Sequence, residues 1–352
     1  MTVSIKDIAK KANVTPTAVS MALRGRAGVS SQKREEIKNL AQKMGYRPSF
    51  LGRALQGGKT HSIGILWSLC GPHPSMNVTR DLTLRAMRRE YISYVVDSLS
   101  DPVIIDQTLE DFVRRRVDAL IILHDRPGEV IDRLKAFPAG VVVSHYPHQV
   151  DADYIYYDLT AGIRQMARYF LSKGRRRPMV LCGAPVDWQV VNQFLSNDRS
   201  RPMVFNSWST NMVKTYAFLS EFQTQGIEVK PESVVDVLSN DPQDVSKILD
   251  RWQINAATMP DVVFASTDHL AAAALKWFKS HKIKVPETVA VGGFNDESLC
   301  DYFDPPLASV HRNDKALAVE IDRLIFSRLE YPDLPSRNVE VPMSFVWRES
   351  AG

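Results

Sequence analysis

Residues 5–24 read IKDIAKKANVTPTAVSMALR. Ile5, Ile8 and Ala9 recur at the spacing of one helix face, Ala12 and Val14 fill a bend, and Val19, Ala22 and Leu23 mark the buried face of a second helix. Thr15 stands where a hydroxyl can cap that second helix. Two short amphipathic helices joined by a tight turn make a helix-turn-helix, with Pro16, Thr17, Ser20 and Met21 left facing outward. In such a motif the outward residues near the start of the second helix meet base edges in the major groove. An ordinary helical hairpin shares the periodicity, and charge separates the two. Residues 1–60 hold twelve Lys or Arg against three Asp or Glu, a net of +9, whereas the remaining residues hold 32 basic against 37 acidic, a net of −5. A basic head draws polyphosphate through counterion release, and a mildly acidic body does not.

Beyond the second helix, RGRAGVSSQKREEIKNLAQKMGYRPS predicts a basic loop, a cap at Ser30 and a third helix whose core face is Ile37, Leu40, Ala41 and Met44, stopped near Gly45. Arg24, Arg26, Lys33 and Arg34 then lie where phosphates would pass, contacts that set register without reading sequence. The stretch 49–60, SFLGRALQGGKT, has Leu51 and Leu55 four apart and ends at Gly57-Gly58. It resembles a phosphate-binding loop, but its spacing is one residue too long and it follows a helix where the nucleotide loop must follow a strand. A hinge helix of about eight residues, marginal alone and formed against a partner or DNA, is the better reading. Ser4, Thr15 and Ser30 at helix starts, with Ser49, Gly52, Leu55 and Gln56 on the hinge, complete the candidate DNA-contacting set.

The chain has 352 residues, of which 44% are hydrophobic, enough for two or three cores. No apolar run approaches the eighteen residues of a membrane span, and the start is a polar helix, so a cytoplasmic, nucleoid-associated protein is expected. Cys70, Cys182 and Cys300 are isolated, which indicates buried thiols and neither a disulfide framework nor a metal site.

From residue 61 short apolar runs alternate with amphipathic ones: HSIGILW, TRDLTLRAMRREY, ISYVVDS, DPVIIDQTLEDFVRRR, VDALIIL, GEVIDRLKAF, GVVVSHY. A second series starts near residue 160 and includes PMVLCGA, PMVFNSW, DVVFAST, DHLAAAALKWFKSHKI and VAVGGF. Strands apolar on both faces with intervening helices predict parallel sheets covered on both sides, in two similar α/β halves. Open sheets of this kind bind ligands at the carboxyl ends of their strands. Trp67 and Ser68, His124 and Asp125, His145, Asp158, Trp188, Trp208, Thr267 and Asp268, and Phe294 with Asn295 are the candidates by that rule.

Residues 5–66 closely resemble the head, hinge and first core strand of the lactose/galactose repressor family. Further matches lie at VDALIIL, YYDLTAG, GRRRPMVLCGAP, PDVVFASTDHLAAAALKW, VPETVAVGGFNDE and DPPLASVHRN, in the family's order and over nearly the whole chain. The resemblance implies a three-helix head at 1–48, a hinge at 49–60 that enters the minor groove with Leu55 as a wedge, and a dimerising periplasmic-binding-protein-like core at 61–352. Its halves are expected at about 61–159 plus 309–333 and about 160–308 plus 334–352. It also implies operator DNA of pseudo-palindromic sequence as partner, a carbohydrate-like effector, and no cofactor.

The chain departs from the pattern in places. Met21 stands where the family commonly has a recognition-helix Arg, which removes a bidentate contact to guanine. Lys214 replaces the sugar-clamping Arg, a point charge in place of a planar fork. An enzyme would need a nucleophile or acid/base constellation, and no GxSxG, HExxH or dinucleotide fingerprint is found. A solute-binding or sugar-processing protein would share the core but not the basic head. The sequence therefore predicts a ligand-responsive DNA-binding regulator, a repressor by family resemblance. Because the positive charge is confined to the head, DNA affinity is expected to fall steeply with salt and to vanish in a chain lacking residues 1–60. A filter-binding titration of both forms at several salt concentrations checks this.

Overall fold

The computed structural model describes residues 3–23, 25, 27–46, 59–68, 75–99, 101–124, 130–144, 151–196, 210–237, 242–251 and 259–352. The chain divides into two compact units, Met1–His61 and Ser62–Gly352.

The small unit holds α1 (Ile5–Ala12), α2 (Pro16–Leu23) and α3 (Ser31–Lys43). Ile8, Ala9, Ala12, Val19, Ala22, Ile37 and Ala41 close its core, with Val14, Leu23, Leu40 and Met44 packed around them. Asn13 ends α1 in the left-handed conformation, φ 53°, which a short polar side chain tolerates and which turns the chain into the bend.

In the large unit two six-stranded sheets are built from β1 (Ser62–Ser68), β2 (Ile92–Asp97), β3 (Ala119–His124), β4 (Ala139–Ser144), β5 (Asp153–Asp158), β6 (Pro178–Cys182), β7 (Val234–Asp236), β8 (Val262–Ala265), β9 (Ala290–Asn295), β10 (Ala308–His311), β11 (Asn338–Pro342) and β12 (Ser344–Val346). The first sheet runs β11-β5-β4-β3-β1-β2, parallel throughout. The second runs β12-β10-β9-β8-β6-β7, parallel except for the antiparallel edge strand β12. Covering helices are α4 (Ser75–Arg88), α5 (Pro102–Arg115), the short α6 (Ile131–Leu134), α7 (Leu159–Ser172), α8 (Trp188–Ser196), α9 (Thr210–Thr224), α10 (Pro242–Arg251), α11 (Asp268–Ser280) and α12 (Asp314–Glu330). The central strands are apolar on both faces because both are covered, whereas the edge strands β2, β7, β11 and β12 are largely exposed or half-buried. Ile63, Ile65, Ile121 and Leu123 belong to one core, whereas Leu66, Leu120 and Ile122 pack with Phe112 of α5 in another. The expected strand at PMVFNSW lies outside the described residues.

The expected division of the C-terminal third is corrected at two strands. Residues 308–311 were expected, but for the first of them, in the first half and form β10 of the second sheet; residues 338–342 were expected in the second half and form β11 of the first. Among the described residues the chain thus crosses between sheets three times, after Asp158, at Arg312–Asn313 and at Met343. Strand periodicity is a local signal, and which sheet a strand joins is decided by pairing with residues far away in sequence.

The β11 return is fixed by a buried carboxylate. Asp153 in β5, 1% exposed at its side chain, accepts from Arg328 of α12 at 3.1 Å and from Arg337, just before β11, at 2.8 Å. The Arg337 N–H also donates to it, at 3.1 Å, and the Tyr154 N–H donates to the Arg337 carbonyl at 2.8 Å. Burial opposes the charge of Asp153, yet the two arginines hold its carboxyl below the usual carboxylate value. Asp153→Ala leaves both guanidinium groups without their shared partner and is expected to destabilise the large unit by about 3 kcal/mol. Urea denaturation followed by tryptophan fluorescence measures it.

Candidate functional site

In the head, three candidate DNA contacts serve as helix caps. Ser4 Oγ accepts the Asp7 N–H at 3.4 Å and donates to Asp7 Oδ2 at 2.7 Å, and the Ser4 N–H also donates to that carboxylate, a reciprocal capping box. Thr15 Oγ1 accepts the Ala18 N–H at 3.1 Å, and Ser30 Oγ the Lys33 N–H at 3.3 Å. These caps give α1, α2 and α3 their starting points. On α2, Val19 and Ala22 are buried, Pro16 and Thr17 exposed, and Ser20 and Met21 half-buried. Gly28 has φ +109°, and a Cβ there would stand 3.2 Å from Met21 Sδ, so Met21 lies close to the loop that leads into α3. Lys33 pairs with Glu36 at 2.9 Å, and Arg34 donates to the Val29 carbonyl at 3.4 Å. Arg24, Ser49, Gly52, Leu55 and Gln56 lie outside the described residues.

In the large unit the ends of β8, β9 and β10 bring five of the effector candidates together. Thr267 Oγ1 caps α11 by accepting the Leu270 N–H at 3.2 Å. Asp268, 2% exposed, accepts from Ser309 Oγ at 2.6 Å and from the Glu297 N–H at 2.8 Å, one bond on each oxygen. A Cβ at Gly293 would come within 2.3 Å of Asp268 Oδ1, so only glycine lets the carboxylate approach β9 this closely. Lys214 of α9 is buried. Its Nζ donates to the Ser266 carbonyl at 3.0 Å and stands 3.8 Å over the Phe294 ring. Asn295, half-buried at the end of β9, has φ +114°.

Other candidates are placed apart from this group. Trp67 is a core side chain, packed with Ile65 and Val78. Asp158 caps α7, accepting from the Thr160 N–H at 2.9 Å, the Thr160 hydroxyl at 2.8 Å and the Ala161 N–H at 3.3 Å. Trp188 opens α8, half-buried against the core. Ser68 and His124 end β1 and β3, their side chains beyond what is described, and Asp125, His145 and Trp208 lie outside the described residues. Sequence reading missed Ser266, Ser309, Asp296 and Arg348. Ser309 had a legible signal, a polar residue between the apolar Ala308 and Val310 of β10. Arg348 had none, since its partners lie some fifty residues away.

The electrostatics of the group follow from burial. Desolvation pushes the Asp268 carboxyl up to about 6, against the opposing hydrogen bonds from Ser309 and Glu297. The buried Cys182 thiol, 3.3 Å from Thr215 Oγ1, is pushed up to about 12 and stays protonated at neutral pH.

Two family descriptions match the chain. Residues 4–49 match "Bacterial regulatory proteins, lacI family", and residues 167–351 match "Periplasmic binding protein-like domain". The chain belongs to the lacI family of bacterial regulatory proteins. It is a DNA-binding transcriptional regulator. Among curated relatives it is similar to the ribose operon repressor of Escherichia coli K12, at 24% identity over 99% of each chain. The HTH-type transcriptional repressor PurR of Histophilus somni strain 2336 shares 21% over 99% of this chain and 98% of its own. Among solved structures, the lac repressor dimer bound to operator and the anti-inducer ONPF superposes with a TM-score of 0.80 at 18% identity, covering all of both chains. The complex of the transcriptional regulator CelR with cellobiose gives 0.63 at 20%, covering 99% of this chain and all of the other. These likenesses establish the fold.

A raised acid destabilises the folded state when ionised. The folded protein binds the extra proton between the unfolded value near 4 and the folded value near 6, so stability falls as pH rises through that window and is flat above it. Asp268→Asn is expected to abolish that slope, a difference on the order of 2 kcal/mol between pH 4 and 7 relative to the parent. Denaturation midpoints of both proteins across the window decide it.

Proposed function

We propose that this regulator represses genes of carbohydrate use by reading a pseudo-palindromic operator as a homodimer and releasing or gripping it on binding a sugar-like effector. The observation that carries the reading is the head. A capped α2 presents Pro16 and Thr17, with Ser20 and Met21 on the next turn, on a unit whose first 60 residues carry +9. Thr17 and Ser20 hydroxyls can donate or accept, and Pro16 and Met21 offer apolar contact to a thymine methyl, so base readout leans on methyl groups in place of an arginine fork. Such a protein works in the cytoplasm, on the nucleoid, and as a binding module, not an enzyme.

Dimerisation has support in two uncovered apolar faces. On the first half Met76 and Met87 of α4 and Leu99 and Val103 beside β2 are 75%, 62%, 69% and 61% exposed. On the second half a groove of about 400 Å³ runs between Ala272 and Ala273 of α11 and Leu299 and Phe303. Patches of this kind on a chain whose single head reads one half-site fit a second copy. For the effector, Asn295 offers two donors and an acceptor, and Trp188 a half-exposed ring. A relative named for the ribose operon and a structural neighbour solved with cellobiose fit a neutral or weakly acidic carbohydrate.

The test selects bound sequences from random duplex DNA with the full chain, then titrates a sugar panel against the recovered operator. A palindromic consensus and a sugar that changes operator affinity, with the reciprocal change in sugar affinity, are expected. Leu55→Ala should weaken operator binding far more than nonspecific binding, because it removes a wedge and leaves phosphate contacts. A monomer at micromolar concentration in sedimentation, or equal loss on both DNAs, counts against the reading.

A further inference from the structure

We propose that Arg348, near the C-terminal end of the chain, is a positioning residue that holds the Asn295–Asp296 turn in shape at the carboxyl end of β9. The proposal deepens the effector reading and rests on Asn295 being an effector contact.

The turn contains two consecutive residues in the left-handed region, Asn295 at φ +114° and Asp296 at φ +55°. Asparagine and aspartate tolerate the second value, whereas the first lies in territory that glycine favours, and surroundings must hold it there. Those surroundings are polar and specific. The Asp296 N–H donates to Ser309 Oγ at 3.1 Å, and the next N–H, of Glu297, donates to Asp268. The Asp296 carboxylate accepts from Arg348 Nη1 at 2.7 Å and faces His311 Nδ1 at 2.9 Å. Arg348 Nε reaches Asp301 at 2.5 Å, and Nη1 also donates to the Leu307 carbonyl at 2.9 Å. One guanidinium therefore spans the turn and the single helical turn Ser298–Tyr302 that follows it.

The clamp is itself anchored. Ser350 Oγ donates to the Val291 carbonyl at 2.7 Å and accepts the Ala308 N–H at 2.8 Å, and the Ser350 N–H donates to the Pro306 carbonyl at 3.0 Å. Arg348 thus projects from a segment tied to β9 and β10. Burial works against its charge, yet Asp296 and Asp301 hold the guanidinium above the usual arginine value. Lysine cannot replace it, because one ammonium does not serve two carboxylates and a carbonyl in the directions a planar fork does.

Arg348 could instead only fasten the tail, and the test separates the two. It uses the full chain without ligand. In Arg348→Met and in Arg348→Lys, the Asp296 and Glu297 amides are expected to exchange with deuterium about tenfold faster or more, while the β8 amides keep parental rates. In parallel, Asn295→Gly is expected to raise the melting temperature of the parent by about 2 °C, and to leave that of Arg348→Met unchanged, since the turn is no longer held. Parental exchange at 296 and 297, acceleration spread equally over β8, or an equal shift from Asn295→Gly in both backgrounds would overturn the proposal. Arg348→Lys carries the test if the methionine variant does not fold. A failed effector reading shows elsewhere, as a sugar response that survives Asn295→Ala, and leaves these readouts unaffected.

Discussion

Each sheet of the large unit is completed by an edge strand, β11 or β12, that arrives only after the chain has visited the other sheet, because the chain passes between the sheets at Asp158, at Arg312–Asn313 and at Met343. The crossings are packed tightly against one another. A Cβ on Gly162 would come within 2.6 Å of Val310 Cγ1 and 3.2 Å of the Ser344 nitrogen, so α7 lies directly against β10 and the last crossing. The first two are joined by polar contacts. The Tyr157 hydroxyl donates to Asp314 at 2.8 Å, Arg312 pairs with the same carboxylate at 2.8 Å, and its guanidinium lies 5.2 Å from the centre of the Tyr157 ring. Both halves therefore share a seam whose parts come from all three crossings, and a shift of one half against the other must pass through it.

Buried carboxylates define the ends of this architecture. Asp153 ties β5 to α12 and β11, and Asp268 ties α11 to β10 and the turn after β9. Their environments push them in opposite directions. Asp153 faces two arginines and stays ionised, while Asp268 meets a hydroxyl and an N–H, too little to offset desolvation. The same chemical group is thereby a fixed charge in one half and a group that titrates within two units of neutrality in the other.

Several polar residues that sequence reading assigned to ligands have internal partners. Ser4, Thr15, Ser30, Asp158 and Thr267 all cap helices. A residue at the end of a strand and the start of a helix satisfies both descriptions at once, since the carboxyl end of a strand is where the next helix must be capped and where a ligand would sit. Sequence position cannot separate the two roles. Asn295, with its unusual backbone, is the candidate whose conformation needs explaining.

The amino-acid sequence alone determined the helices of the head, its charge, the alternation of strands and helices, and the family. Each of these is local: a period of 3.6 or 2, a capping side chain, a count of charges, a run of matching residues. Only the tertiary structure decided that 338–342 completes the first sheet and 308–311 the second, that Trp67 belongs to the core, and that Arg348 clasps Asp296. Those are pairings between residues tens to hundreds of positions apart. No periodicity encodes them, because they are chosen by which surfaces meet once the sheets have formed.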